Sequence, residues 1–264
     1  MLKGMNEAIL DRLRYFLKDS IRQEVDFTAT EQARGVAPPP IEKPWPTDAY
    51  LIDLPRPGQW SGIGPVTVEA AIRHRESRRR FGRQPLTLDH LAFLLWASQG
   101  IRKVLNPATA LRTVPSAGAR HAFETYIAAV NVEGLVPGVY RYLPVEHRLL
   151  QVAVVPDLAS KLVSATLGQA FAGQAASTII WAAIPGRMEW RYGLAAHKVI
   201  ALDAGHVCQN LYLACEAIGA GTCAIAAYDQ EAMDSLIGVD GRDEFTVYLA
   251  PVGVKPGAGR DVCK

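Results

Sequence analysis

Apolar residues recur at helical spacing near the start of the chain, where Ile9, Leu10, Leu13, Phe16 and Leu17 predict an amphipathic helix over residues 6–22. Two further helices are predicted over residues 66–75 and 87–98, the second with Thr87 as its N-cap. The period then shortens. Residues 122–132, 138–154, 177–184, 222–228 and 245–254 are rich in β-branched and aromatic side chains and bounded by turn formers, which predicts five strands. Between them, residues 156–168 read as a helix opened by Pro156 and closed by Gly168, and residues 198–219 as a long helix closed by Gly219. The long helix is so apolar that most of its faces must be buried, inside the domain or at a subunit interface. Helices first, then strands with interspersed helices, predict an α+β fold with helices packed on a central sheet.

Residues 36–58 fit neither period. Their prolines remove backbone donors and favour extended geometry. Trp45, Tyr50, Leu51, Ile52 and Leu54 supply apolar anchors, so the segment is expected to lie across the body as a packed strap in place of a mobile linker. The expected division is residues 1–60 as helix and strap, and residues 61–264 as the main domain.

Composition narrows the function classes. Of 264 residues, 49% are hydrophobic and 20% charged, as in folded globular proteins. The net charge of +2 argues against a nucleic-acid partner. The N-terminal stretch lacks a signal-peptide apolar region and no run is long enough to span a membrane, so a cytoplasmic protein without membrane contact is expected. Cys208, Cys215, Cys223 and Cys263 show no metal-ligand spacing, so no metal is expected and they read as core residues or surface thiols of a reducing compartment. Yet Arg73, Arg75, Arg78, Arg79, Arg80 and Arg83 crowd one short window, which makes one locally cationic place in a near-neutral chain.

Three segments could carry chemistry. Arg75 to Phe81 combines guanidinium forks with the Ser77 hydroxyl, suited to phosphate or carboxylate, or else forms a solvated basic face. Thr113 to His121 holds Pro115, Ser116, Ala117 and Gly118, small residues that allow close backbone approach to a flat ligand, or else an ordinary turn. Gly219 to Cys223, with Ala220 and Gly221, offers bare backbone to a ligand plane, or else a common helix cap. None matches a standard nucleotide motif.

In their order these segments, with Tyr50 to Pro55, Tyr192-Gly193, Leu202 to His206, Gln209 to Leu211 and Tyr248 to Gly253, resemble the nitroreductase superfamily of FMN enzymes. Within it they are similar to the branch of SagB-like dehydrogenases and azoline oxidases. The resemblance implies a mainly antiparallel central sheet flanked by helices, with a long buried helix. It also implies an intertwined homodimer holding two FMN molecules, each contacted by both chains. It places Arg75 and Ser77 on phosphate and ribityl groups, Arg79 near flavin N1 and O2, and Pro115 to Gly118 on the isoalloxazine from the partner subunit. It puts backbone donors of Ala220 and Gly221 toward N5 and O4, and Lys255 on the phosphate. Arg78 and Arg80 are left to solvent or an interface.

Two departures bear on this resemblance. Ala122 stands where relatives commonly carry proline. Arg191-Tyr192 stands where azoline oxidases have Lys-Tyr, and a guanidinium cannot act as a general base. Tyr192 stays a candidate acid or hydrogen-bond donor, with core packing as the alternative, and His121 and His206 read as structural more readily than as catalysts. The expected function is an FMN-dependent oxidoreductase, with NADH or NADPH as a possible donor and a small molecule or modified peptide as substrate. The alternatives are a non-catalytic flavin carrier or partner in a biosynthetic complex, and an azoline dehydrogenase using Arg191.

Overall fold

The structure, a computed structural model, describes residues 2–257. In chain order its elements are α1 (Leu2–Leu17), β1 (Leu51–Asp53), α2 (Val68–His74), α3 (Leu88–Gln99), β2 (Ile101–Asn106), β3 (Thr109–Arg112), β4 (Phe123–Ala129), β5 (Gly138–Leu143) and β6 (Arg148–Val154). They continue with α4 (Leu158–Ala165), α5 (Ala170–Gln174), β7 (Ser177–Ala183), α6 (Gly186–Tyr192), α7 (Ala196–Ala217), β8 (Ala220–Thr222), α8 (Gln230–Ile237) and β9 (Phe245–Val254).

Seven strands form one antiparallel sheet in the order β1-β6-β5-β4-β7-β9-β8, and β2 and β3 make a separate hairpin. Side chains alternate across a strand, so the sheet has two apolar faces and needs a cover on each. Phe123 and Ile127 of β4, Ile179 and Trp181 of β7, and Val252 of β9 face one side, where Leu91, Leu94 and Leu95 of α3 and Val207, Leu211 and Cys215 of α7 pack on them. Tyr126, Ile180 and Leu249 face the other side, against Leu158 and Leu162 of α4, Ala172 of α5, and Met233 and Ile237 of α8. The α+β architecture, the antiparallel sheet and the long helix expected from the sequence are all present.

Several boundaries moved. The expected strand 138–154 is a hairpin, because Pro144 lacks an amide donor and His147 takes φ +56, so the ladder turns back. Of the expected strand 222–228 only Thr222 lies in β8: the Ala224 amide donates to the Tyr212 hydroxyl (2.9 Å), and the chain meets β9 again only in a single bridge of Ile225 with Leu249. The helix expected over 156–168 stops at Ala165, and α5 follows it. Residues 186–192, outside every element expected from the sequence, form helix α6. The first helix ends at Leu17, and its apolar residues Ile9, Leu10, Leu13 and Phe16 are exposed. Cys208, Cys215 and Cys223 are buried; burial pushes the Cys208 thiol up to about 12, leaving it a packing group. Cys263 lies outside the described residues.

The strap is packed, and the manner follows from its composition. An irregular, proline-rich run has carbonyls without ladder partners, so side chains of the body must supply donors. Arg112 Nη2 donates to Ile41 O (2.7 Å), Arg141 Nη2 to Lys43 O (2.9 Å), and Trp190 Nε1 to Val36 O (2.8 Å). His147 Nε2 lies 2.9 Å from Pro55 O, which can only accept, so Nε2 carries the proton and Nδ1 accepts from the Tyr142 hydroxyl (2.9 Å). Beneath the strap, Glu124 and Arg187 form a buried ion pair.

Candidate active site

The arginine-rich segment leaves α2 at Arg75 and runs along the outer edge of the sheet. Ser77 bridges Thr222 of β8, Arg78 N donates to Thr222 O (2.9 Å), and Gly82 N donates to Val254 O (2.8 Å). Phe81 lies so close over Gly253 that a Cβ there would sit 2.7 Å from its ring. The first and third sequence segments are therefore neighbours, although well over a hundred residues separate them.

Tyr212 of α7 organises this corner. Its hydroxyl accepts from Ala224 N and lies 3.0 Å from Ser77 Oγ. Either oxygen can donate in this contact, so the pair uses one of its two hydroxyl hydrogens and has one left for another acceptor. The Arg75 guanidinium sits over the Tyr212 ring at 5.4 Å, half-buried and in no ion pair with a described residue. Together these present a spare hydroxyl hydrogen and a cation in no described ion pair, the donor set for a phosphate.

Other members of the segment diverge. Arg79 stacks on Phe171 of α5 at 5.9 Å, on the sheet face away from α7, so it is not gathered with Arg75 and Ser77. Arg78, expected in solvent or at an interface, pairs with Glu76 (2.7 Å) and lays its stem on Gly221, where a Cβ would meet Arg78 Cδ at 2.4 Å; its buried Nε has no partner. Arg80 is exposed. Ala220 and Gly221 are buried in β8. The Lys255 ammonium is bound to Glu216 (2.6 Å), which neutralises it.

Pro115 to Gly118 lies elsewhere. Gly118 takes φ +58, and a Cβ there would fall 2.7 Å from the Tyr192 hydroxyl and 3.0 Å from Arg191 Nε. The His121 amide closes the loop on Ser116 Oγ (2.9 Å). Arg191 stacks on Tyr192 at 5.6 Å. Asp203 of α7 stands beneath: burial pushes its carboxyl up, against the opposing pull of the Ser116 hydroxyl, His206 and the Ala117 amide. Burial and nearby Arg112 drive the His121 imidazole down to about 3, so it stays neutral and is no proton donor near neutrality. Beside the loop a cavity of about 340 Å3 is lined by Arg102, Arg112, Pro115, Ser116 and His121.

The site thus falls into two clusters on one helix. Asp203 and Tyr212 are nine residues apart, which puts them about 14 Å apart along α7 and about half a turn around it. Asp203 falls in the matched segment Leu202 to His206 without a role there, and Tyr212 lies outside the matched segments: a lone acid or phenol in an apolar helix carries no signal until the loops packed on it are known.

Comparison with known proteins bears on the family and the fold. The model of the "Nitroreductase family" matches residues 72–254. A candidate nitroreductase of Methanocaldococcus jannaschii is 30% identical over 208 residues, covering 79% of this chain and 98% of that one. The crystal structure of a candidate nitroreductase from Ralstonia eutropha superposes with a TM-score of 0.64 at 27% identity, covering 82% of this chain and 97% of the other. A chain of the E. coli microcin synthetase complex shares the fold at a TM-score of 0.56 and 20% identity, over 75% of this chain and 76% of that one. Among the described residues no helix is long and apolar enough to cross a membrane. The family model over more than half of the chain and the relative at 30% identity show that the chain belongs to the nitroreductase family, a family of oxidoreductases.

Proposed function

We propose that the protein is an FMN-dependent oxidoreductase of the SagB-like branch, acting as a homodimer on a small-molecule or modified-peptide substrate. The observation that carries this reading is the corner where Arg75 and Ser77 meet around Tyr212 at one sheet edge. The corner fits a flavin phosphate: the cation has no acid partner among the described residues, the Ser77–Tyr212 pair has one hydroxyl hydrogen left to give, and the buried Arg78 Nε beside them has no partner.

Arg75 and Ser77 would hold the phosphate and ribityl groups, and Ala220 and Gly221 would offer backbone donors to the ring. Arg79 would reach the ring by leaving Phe171, an exposed contact of only about 0.5–1 kcal/mol. Lys255 stays with Glu216 and drops out of the phosphate set. Pro115 to Gly118 stands half a turn around α7 from Tyr212, so it would serve the flavin of the partner subunit. When bound, FMN supplies hydride transfer at N5. The chain's own share is to fix the cofactor, place cationic charge near it and keep Tyr192 over Gly118 as a hydrogen-bond donor. Arg191 cannot take a proton, so an azoline dehydrogenase of this type would rely on Tyr192.

The test is anaerobic titration with NADH and NADPH, followed by flavin absorbance. Bound FMN that bleaches supports the reductase reading. Bound FMN that neither nicotinamide reduces favours a substrate-driven dehydrogenase or a non-catalytic carrier. Protein that binds no FMN overturns the proposal.

A further inference from the structure

A second site lies away from this corner, on the face of the sheet that carries α8. A cavity of about 410 Å3 opens between the strap and that face, within the size range of small-molecule pockets. Its walls are apolar: Trp45 and Pro46 of the strap, Leu150 and Val152 of β6, and Ile237 at the end of α8. Lys43, Tyr126 and Arg141 make its polar end, and Asp48 is exposed on its outer side.

The charges at the polar end do not cancel. Lys43 is matched by Glu244. Arg141, whose side chain is 3% exposed, uses only Nη2, on the strap carbonyls of Lys43 and Pro44; its Nε has no partner. The carboxylate near it, Glu124, stands 4.0 Å away and is committed to Arg187 and the Lys43 amide. Arg112 draws on the same carboxylate. Three buried guanidiniums therefore share Glu124. Glu42 does not make up the difference, because burial, with Glu146 and Glu124 nearby, keeps its carboxyl substantially protonated near neutrality. A buried, under-neutralised cation at the end of an apolar pocket calls for an anion with an apolar body.

We propose that the strap cavity binds a small aryl or alkyl carboxylate, its carboxylate on Arg141 and its apolar part against Trp45. Because the strap forms one wall, such a ligand fastens the strap to the sheet. The site is independent of the flavin corner, which lies at the far edge of the sheet toward α7.

Calorimetric titration of the full-length protein with phenylacetate, phenylacetamide and acetate tests this. Saturable binding of phenylacetate is expected, with the amide weaker by about tenfold or more, since a charge-assisted contact is lost. Acetate, lacking the apolar part, is expected to bind more weakly still. Val152→Trp, which fills the cavity from a half-exposed strand position, should abolish binding while the protein still melts as wild type. Arg141→Gln should weaken binding too, although it also loosens the strap. No saturable binding, equal binding of acid and amide, acetate binding as tightly as phenylacetate, unchanged binding in a folded Val152→Trp protein, or displacement of bound FMN by phenylacetate would each overturn the proposal.

Discussion

The Tyr212 hydroxyl stands between the Ala224 amide and Ser77 Oγ, at 2.9 and 3.0 Å, and joins the end of the buried helix to the arginine-rich segment outside it. That one phenol both ties down the Ser77 hydroxyl and seats the Arg75 guanidinium.

Tyr212→Phe keeps the ring beneath Arg75 and removes the two hydrogen bonds. Each contributes about 0.5–1.5 kcal/mol, so a stability loss of about 1–3 kcal/mol is expected in urea denaturation. Ser77 also loses its orientation, and FMN affinity should fall several-fold in a fluorescence titration. A loss of stability with unchanged flavin affinity would make Tyr212 a packing residue only.

Arg75→Ala should weaken FMN retention by about tenfold or more, the worth of a charge-assisted contact of about 1.5–3 kcal/mol. Arg80→Ala, an exposed member of the same window, should leave retention unchanged. Equal effects from the two would return the cluster to a diffuse basic face. Flavin content after gel filtration separates these outcomes.

Gly118→Ala should cost about 1–3 kcal/mol, because φ +58 disfavours a side chain and the new Cβ would press on the Tyr192 hydroxyl. Displacing Tyr192 and Arg191 should also lower turnover. Gly186→Ala is the control: nothing lies within 4 Å of its Cβ position, and helix propensity favours alanine there. Thermal melts with a turnover assay check both.

The fold was legible where local chemistry and packing agree. Thr87 caps α3 with its hydroxyl on the His90 amide, and β9 runs over the residues its composition marks, 245–254. The misses have physical causes. Strand β2 is almost wholly exposed and so carries no alternation to read. The hairpin turn at Pro144 to His147 is hidden inside one apolar run. For α8 the signals were present, an Asp229 N-cap and a left-handed Gly238, but its short length masked them. At the site, the order of motifs pointed to Arg75, Ser77 and Gly118, whereas Arg78 on Gly221, Lys255 on Glu216, and the posts Asp203 and Tyr212 depend on register between distant elements.

The strap should loosen as pH rises, and Glu42 is the reason. Burial is the main cause raising its carboxyl from the ordinary 4.5 to about 7, while the Val145 amide donates to it at 3.1 Å. A carboxyl whose pKa is higher folded than unfolded favours the folded form most fully below the unfolded value, and that contribution fades as pH climbs through 7. His121 and His147 act in the opposite sense: burial lowers both, so stability falls as pH drops below their ordinary 6.5. The raw profile therefore mixes two trends, and the comparison with Glu42→Gln isolates one. The amide can still accept from Val145 and never ionises. Relative to wild type, Glu42→Gln should gain stability steadily from about pH 4.5 to about pH 8, with slower proteolytic nicking of residues 36–50 at the higher pH. A constant difference between the two proteins across that range would show that Glu42 does not titrate in the folded strap.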